Sequence, residues 1–156
     1  MEVFLEQFIA CNKNRQALKN VKTIVIAVIL IGVFMFLFIS PLLALLIQIA
    51  AIVFFLVTYY SFVDYEYELF NGNIDISKIY AGSRRKVAQK ITIEDVEFVC
   101  ESTNNINSKQ ALFNSNINGL KVYTFQLKAG KIVQLALNEE FEKIIKIVYR
   151  GKMELR

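Results

Sequence analysis

Apolar and polar positions follow three different rhythms along this chain, and the middle one dominates. Residues 23–63 form a run of 41 without one Asp, Glu, Lys or Arg, closed by Lys22 and Asp64. A single helix of that length would reach about 60 Å at about 1.5 Å per residue. The hydrocarbon core of a bilayer is about 30 Å thick and needs about 20 residues to cross. The run therefore predicts two crossings. Ser40 and Pro41 lie near its middle, where Ser serves as N-cap and Pro fits the first helical position, whose N–H has no partner in any case. The expected element is a transmembrane α-helical hairpin over residues 22–61, running 22–39 out and 41–61 back with almost no loop.

Ahead of the hairpin, Phe4, Phe8, Cys11 and Leu18 fall on one side at 100° per residue, with Val3 and Val21 beside them. This pattern predicts an amphipathic helix over residues 1–22. Such a segment either lies on an anionic leaflet as an interfacial helix or serves as a polar lead-in whose charges fix orientation.

After the hairpin the period becomes two. Val63, Tyr65, Tyr67 and Leu69 alternate with Asp64, Glu66 and Glu68, as in a half-buried strand. Asn71 and Gly72 follow, a strong short hairpin signal, and Ile74, Ile76 and Tyr80 return on a second strand. Gly82 and Ser83 break the pattern before a third strand over 84–93, and 96–100 reads as a fourth. The Asn-rich stretch 102–118 reads mainly as solvated loop, with a short strand at 111–113. Two more strands are expected around Tyr123, Phe125 and Leu127 and around Val133, Leu135 and Leu137, joined by a turn at Gly130. Asn138 then caps a helix with acids at Glu139, Glu140 and Glu142 and an apolar stripe of Phe141, Ile144, Ile145 and Val148. Residues 62–156 are thus long enough for one small domain with its own core. The expected organisation is an N-terminal segment 1–21, the hairpin 22–61 and a mostly β, α+β domain 62–156.

Charge sets the orientation. Lys13, Arg15, Lys19 and Lys22 flank the first crossing while the hairpin tip carries no charge, so both termini are expected in the cytoplasm. The formal net charge of +4 is a mild balance and gives no nucleic-acid signature. Within the spans Gln48 is the one long polar side chain, expected to face the partner helix or another copy of the protein. Ionisable groups, which a carrier would need at membrane depth, are absent from the run.

The chain holds two cysteines, Cys11 and Cys100, and no histidine. Their spacing matches no zinc pattern, and no metal or cofactor is expected. Candidate reactive groups reduce to Cys100 and to the carboxylates Glu94, Asp95, Glu97 and Glu101, which form no recognisable catalytic constellation. A non-catalytic protein is expected.

Two hairpin-rich blocks of about seven strands followed by one amphipathic helix match the order of a pleckstrin-homology (PH)-like domain. Asp64, Tyr65, Glu66 and Tyr67, the Asn71 and Gly72 turn, Ile74, Asp75 and Ile76, and the opening Arg84, Arg85 and Lys86 resemble bacterial membrane-anchored PH-like proteins. The likeness covers residues 22–150 and extends to the two-span arrangement. It implies a bent, two-sheet barrel of about seven antiparallel strands closed at one end by the C-terminal helix. In relatives that bind phosphoinositides, basic residues sit in a long loop between the first two strands, whereas here the first turn reads as the tight Asn71 and Gly72 reversal.

Lys78, Arg84, Arg85, Lys86 and Lys90 form the one basic cluster, with no acid between Lys78 and Lys90. It reads either as a contact for a partner or an anionic lipid headgroup, or as a solvated strand face paired with Asp64, Glu66 and Glu68. The resulting expectation is a membrane-anchored PH-like interaction module that binds a protein partner or itself. A sensor of anionic lipid through residues 78–90 is the alternative.

Overall fold

The computed structural model describes residues 4–11, 13, 15–102, 107, 109–114 and 117–153. In chain order the elements are β1 (Phe4–Ile9), α1 (Arg15–Phe38), α2 (Pro41–Ser61), β2 (Val63–Phe70), β3 (Asn73–Tyr80), β4 (Arg84–Ile91), β5 (Val96–Glu101), β6 (Lys121–Leu127), β7 (Ile132–Leu137) and α3 (Glu139–Val148). A 3-10 turn, Arg150–Lys152, follows α3. The chain divides into a helical unit, Lys13–Val63 with Tyr80–Gly82, and a β-rich unit holding the rest.

The helical unit is the expected hairpin. Both helices are long and apolar enough to cross a membrane. They meet along one narrow seam: Leu18, Val21, Val25, Val28, Gly32 and Met35 of α1 are its less exposed positions, spaced alternately three and four apart. Ala44, Gln48, Ala51 and Phe55 continue the same spacing on α2. That is the two-in-seven stripe of a paired helix, and the remaining positions of both spans are mostly exposed apolar side chains. Ser40 takes the N-cap position in extended backbone without a side-chain bond, and Pro41 opens α2. The helix α1 starts at Arg15, earlier than expected, because Leu18 and Val21 carry the seam through the charged flank.

The expected amphipathic helix over residues 1–22 is overturned. Phe4–Ile9 is a strand, and it pairs antiparallel with β2 on the far side of the hairpin, Phe4 opposite Phe70 and Ile9 opposite Tyr65. Gln7 and Ile9 turn inward while Phe4, Glu6 and Phe8 face out. An edge strand made from the first residues satisfies inward-facing Gln7 as a helix on a leaflet would not. Its amide donates to the Ala136 carbonyl at 2.9 Å, and its carbonyl accepts from the Asn138 N–H at 3.0 Å.

The β-rich unit contains two antiparallel sheets, ordered β1-β2-β3-β4 and β5-β6-β7. Asn71 (φ 47°) and Gly72 (φ 84°) turn β2 into β3, the pair of positive φ values a two-residue hairpin requires. Tyr67, Leu69, Ile74, Ile76, Phe125 and Leu135 are fully buried. Asn138 caps α3 through its side chain, accepting from Phe141 N at 2.8 Å, and α3 buries Phe141 and Ile145 as expected. The seven strands do not close into one hydrogen-bonded barrel. Among the described residues, side chains of β1 and β2 reach β7: Gln7 donates to Ala136 O at 2.9 Å, and the Tyr67 hydroxyl accepts from Ala136 N at 3.5 Å.

The Asn-rich stretch is not simply loop. Ala111 bridges Gln134 on the edge of β7, with Leu112 N donating to Gln134 O at 3.0 Å. This reduces the expected strand at 111–113 to a single bridge. Residues 103–106, 108, 115 and 116 of the stretch lie outside the described residues.

Candidate functional site

The basic segment is split by its partners. Arg85 lies 3.0 Å from Glu66 Oε2 and also pairs with Glu68. The Glu68 carboxylate is the main reason its guanidinium is held above its ordinary value. Lys90 pairs with Asp75 of β3 at 2.5 Å. Lys78 holds its ammonium 5.6 Å from the centre of the Tyr65 ring, a cation–π distance. Arg84 and Lys86 are exposed and make no ion pair among the described residues. The acidic strand therefore neutralises Arg85, while Asp64 is used elsewhere: buried at the start of β2, it accepts the Cys11 N–H at 2.7 Å.

The segment begins at a fixed point of the helical unit. Ala81 (φ 50°) and Gly82 (φ 71°) form the reversal after β3, and Ala81 N donates to Phe62 O at 2.7 Å. Around that bond Tyr59, Tyr60 and Tyr80 stack edge to face, with ring centres 5.6 and 5.4 Å apart. Lys13 sits 5.6 Å over the Phe62 ring. Tyrosine is a residue type enriched where apolar helices meet a membrane–water interface.

Gln48 of α2 packs against Gly32 of α1. Its side chain lies flat on Gly32: a methyl group there would sit 3.0 Å from both Cγ and Nε2 of Gln48.

A face that sequence reasoning missed belongs to β1 and β2. Phe4, Phe8 and Phe70 are 62%, 53% and 50% exposed, and Phe4 stands directly opposite Phe70, Glu6 opposite Glu68 and Phe8 opposite Glu66. Exposed aromatics thus alternate with carboxylates on one sheet face. Only the strand assignment of residues 4–9 could have revealed it.

The one strongly shifted carboxylate is structural. Burial works against ionisation of Glu142, yet Lys146 at 2.5 Å, Lys121 at 3.0 Å and the Tyr123 hydroxyl at 3.0 Å hold its pKa down to about 2. Three of the other acids considered for chemistry accept local hydrogen bonds: Asp95 from the Thr92 hydroxyl, Glu97 from Gln126 at 3.4 Å and Glu101 from the Tyr123 hydroxyl at 3.5 Å. Cys100 is half-buried.

The model of one protein family, described as Bacterial PH-like domain (DUF6106), matches residues 1–154. The chain belongs to that family. No curated protein and no solved structure matches it. The match begins at the first residue, so this PH-like family includes β1 and the hairpin within its unit. The connection between the first two strands of the PH-like chain is consequently not the Asn71 and Gly72 turn, which joins β2 to β3. It is the helical hairpin itself.

Proposed function

We propose that the chain is a non-catalytic, two-span integral membrane protein that presents a PH-like interaction module on the cytoplasmic side, for a protein partner or a further copy of itself. One observation carries this reading. β1 before the hairpin is hydrogen-bonded along its length to β2 after it, which supports a topology with both ends of the hairpin on one side of the membrane. The Lys and Arg flank of α1 favours the cytoplasm as that side. The exposed Phe4, Phe8 and Phe70 face is the surface this module would present. In this reading the two sheets and α3 are an open variant of the PH-like barrel.

Reporters at positions 2 and 150 test the topology. Both should stay protected from a membrane-impermeant reagent in intact cells and react after permeabilisation; labelling of either from outside overturns the reading. Arg84 and Lys86, exposed and without an ion pair among the described residues, favour a second reading, contact with anionic headgroups. Crosslinking in native membranes at low and high salt separates the two. Headgroup contacts fade as salt rises, whereas a protein partner held on the aromatic face persists.

A further inference from the structure

Gln48 is placed where a side-chain amide is costly. It lies about eight residues past Ser40, about 12 Å from the hairpin tip at about 1.5 Å per residue, close to the middle of a hydrocarbon core about 30 Å thick. It is half-exposed, and its amide has no hydrogen-bond partner among the described residues. No water is available at that depth, so an unpaired amide there carries the full cost of desolvation. Gly32 explains how the side chain is held. Its missing side chain leaves a notch in α1 that Cγ and Nε2 of Gln48 fill, so the side chain is held at the seam while Gln48 keeps part of its surface exposed.

We propose that Gln48 joins two copies of the hairpin in the plane of the membrane, as a dimer of hairpins around a two-fold axis along the membrane normal. The occupant is a second copy because a carboxamide is self-complementary: it donates through Nε2 and accepts through Oε1. Two copies related by a two-fold axis exchange both bonds at once, which satisfies both amides with a single closed contact. A lipid tail offers neither donor nor acceptor. The exposed apolar sides of α1 and α2 then pack around the amide pair as in a four-helix arrangement. The inference rests on the reading that the hairpin spans a membrane.

The test uses the full chain, fused at its C-terminus to donor or acceptor fluorescent proteins and reconstituted in phosphatidylcholine–phosphatidylglycerol liposomes. Energy transfer should appear for the native chain and fall when unlabelled native chain is added. Gln48→Leu keeps the apolar bulk and removes the amide; it should weaken association about tenfold, equivalent to about 1.4 kcal/mol. Gly32→Ala should weaken it as well by displacing Gln48, while Val53→Leu on another exposed side should not. In a background carrying Cys11→Ser and Cys100→Ser, Gln48→Cys should crosslink to a dimer on oxidation and Val53→Cys should not. A monomeric native chain, or full association in Gln48→Leu, overturns the proposal. Resistance to alkaline carbonate extraction keeps the two failures apart. A chain that is retained but monomeric refutes the dimer alone, and a chain that is extracted refutes the membrane reading beneath it.

Discussion

The hydroxyl of Tyr149 donates to the carbonyl of Gly72 at 2.6 Å, so the end of α3 is fastened to the turn between β2 and β3. Tyr149 is almost fully buried, and burial pushes its phenol above the usual range; it therefore acts as a neutral donor at any ordinary pH. Tyr149→Phe leaves that carbonyl without its partner and should cost about 1–3 kcal/mol, read as a lower midpoint in denaturant. Gly72→Val should cost at least as much. It places a β-branched residue at φ 84°, and its Cβ would lie 3.2 Å from Ile93 Cδ1 and 3.3 Å from Val148 Cγ1. An unchanged midpoint in either variant would show that turn and helix are not coupled.

Acid should weaken the β-rich unit through Glu142. Its folded pKa of about 2 lies below the ordinary 4.5, so the folded state binds the proton less readily than the unfolded one. The stabilisation is complete above about pH 4.5 and is lost as the pH falls toward 2. Glu142→Gln should lower stability at pH 7 by about 1–3 kcal/mol, since Lys121 and Lys146 lose their shared partner. Stability of this variant should then fall less between pH 4.5 and 2 than that of the native chain. Parallel pH–stability curves for the two proteins would exclude the network as the acid-sensitive element.

The two classes of basic residue in β4 should separate. Arg85→Gln breaks an exposed pair and should lower stability by about 0–1 kcal/mol. Arg84→Gln with Lys86→Gln should leave stability unchanged, because neither side chain is paired among the described residues. Chemical denaturation of the full chain in detergent micelles distinguishes them. A larger loss for the double variant would reveal partners for those two residues.

Residues 62–156 alone should make a poor domain. Without β1 the first sheet loses an edge strand, and the Ala136 carbonyl and Asn138 N–H lose Gln7. A chain in which a short Asn-Gly linker joins position 11 to position 64 restores both and omits the spans. It should melt at least 10 °C higher than 62–156, given that about 1 kcal/mol shifts a domain of this size by about 4–8 °C. Equal melting temperatures would mean that β1 is dispensable.

What the sequence made readable was local. The charge-free run, the Asn71 and Gly72 turn and the Asn138 cap each declare themselves within a few residues, and each forms where expected. β1 does not, because both its faces break the rule that apolar means inside. Phe4 and Phe8 point out, Gln7 points in, and the strand partner lies beyond the two helices. The pairing of Arg85 with Glu66 and Glu68 was within reach of the charge pattern, while Lys90 with Asp75 depends on strand register that periodicity does not supply. Gly32 has no small residue three or four positions away, and only the packing of α2 against α1 gives it a role under Gln48.

Placing β1 ahead of the spans has a consequence for how the protein is made. During synthesis β1 emerges before the hairpin, yet its partner β2 appears only after both apolar helices have been produced. A chain that inserts one helix and not the other leaves β1 and β2 on opposite faces of the bilayer, where they can never pair. Such a chain keeps a bare strand edge and an open core, and is expected to be cleared faster than the native protein in pulse–chase experiments. In the proposed two-span topology, sheet completion is an inspection step for membrane insertion, performed by the six residues Phe4–Ile9.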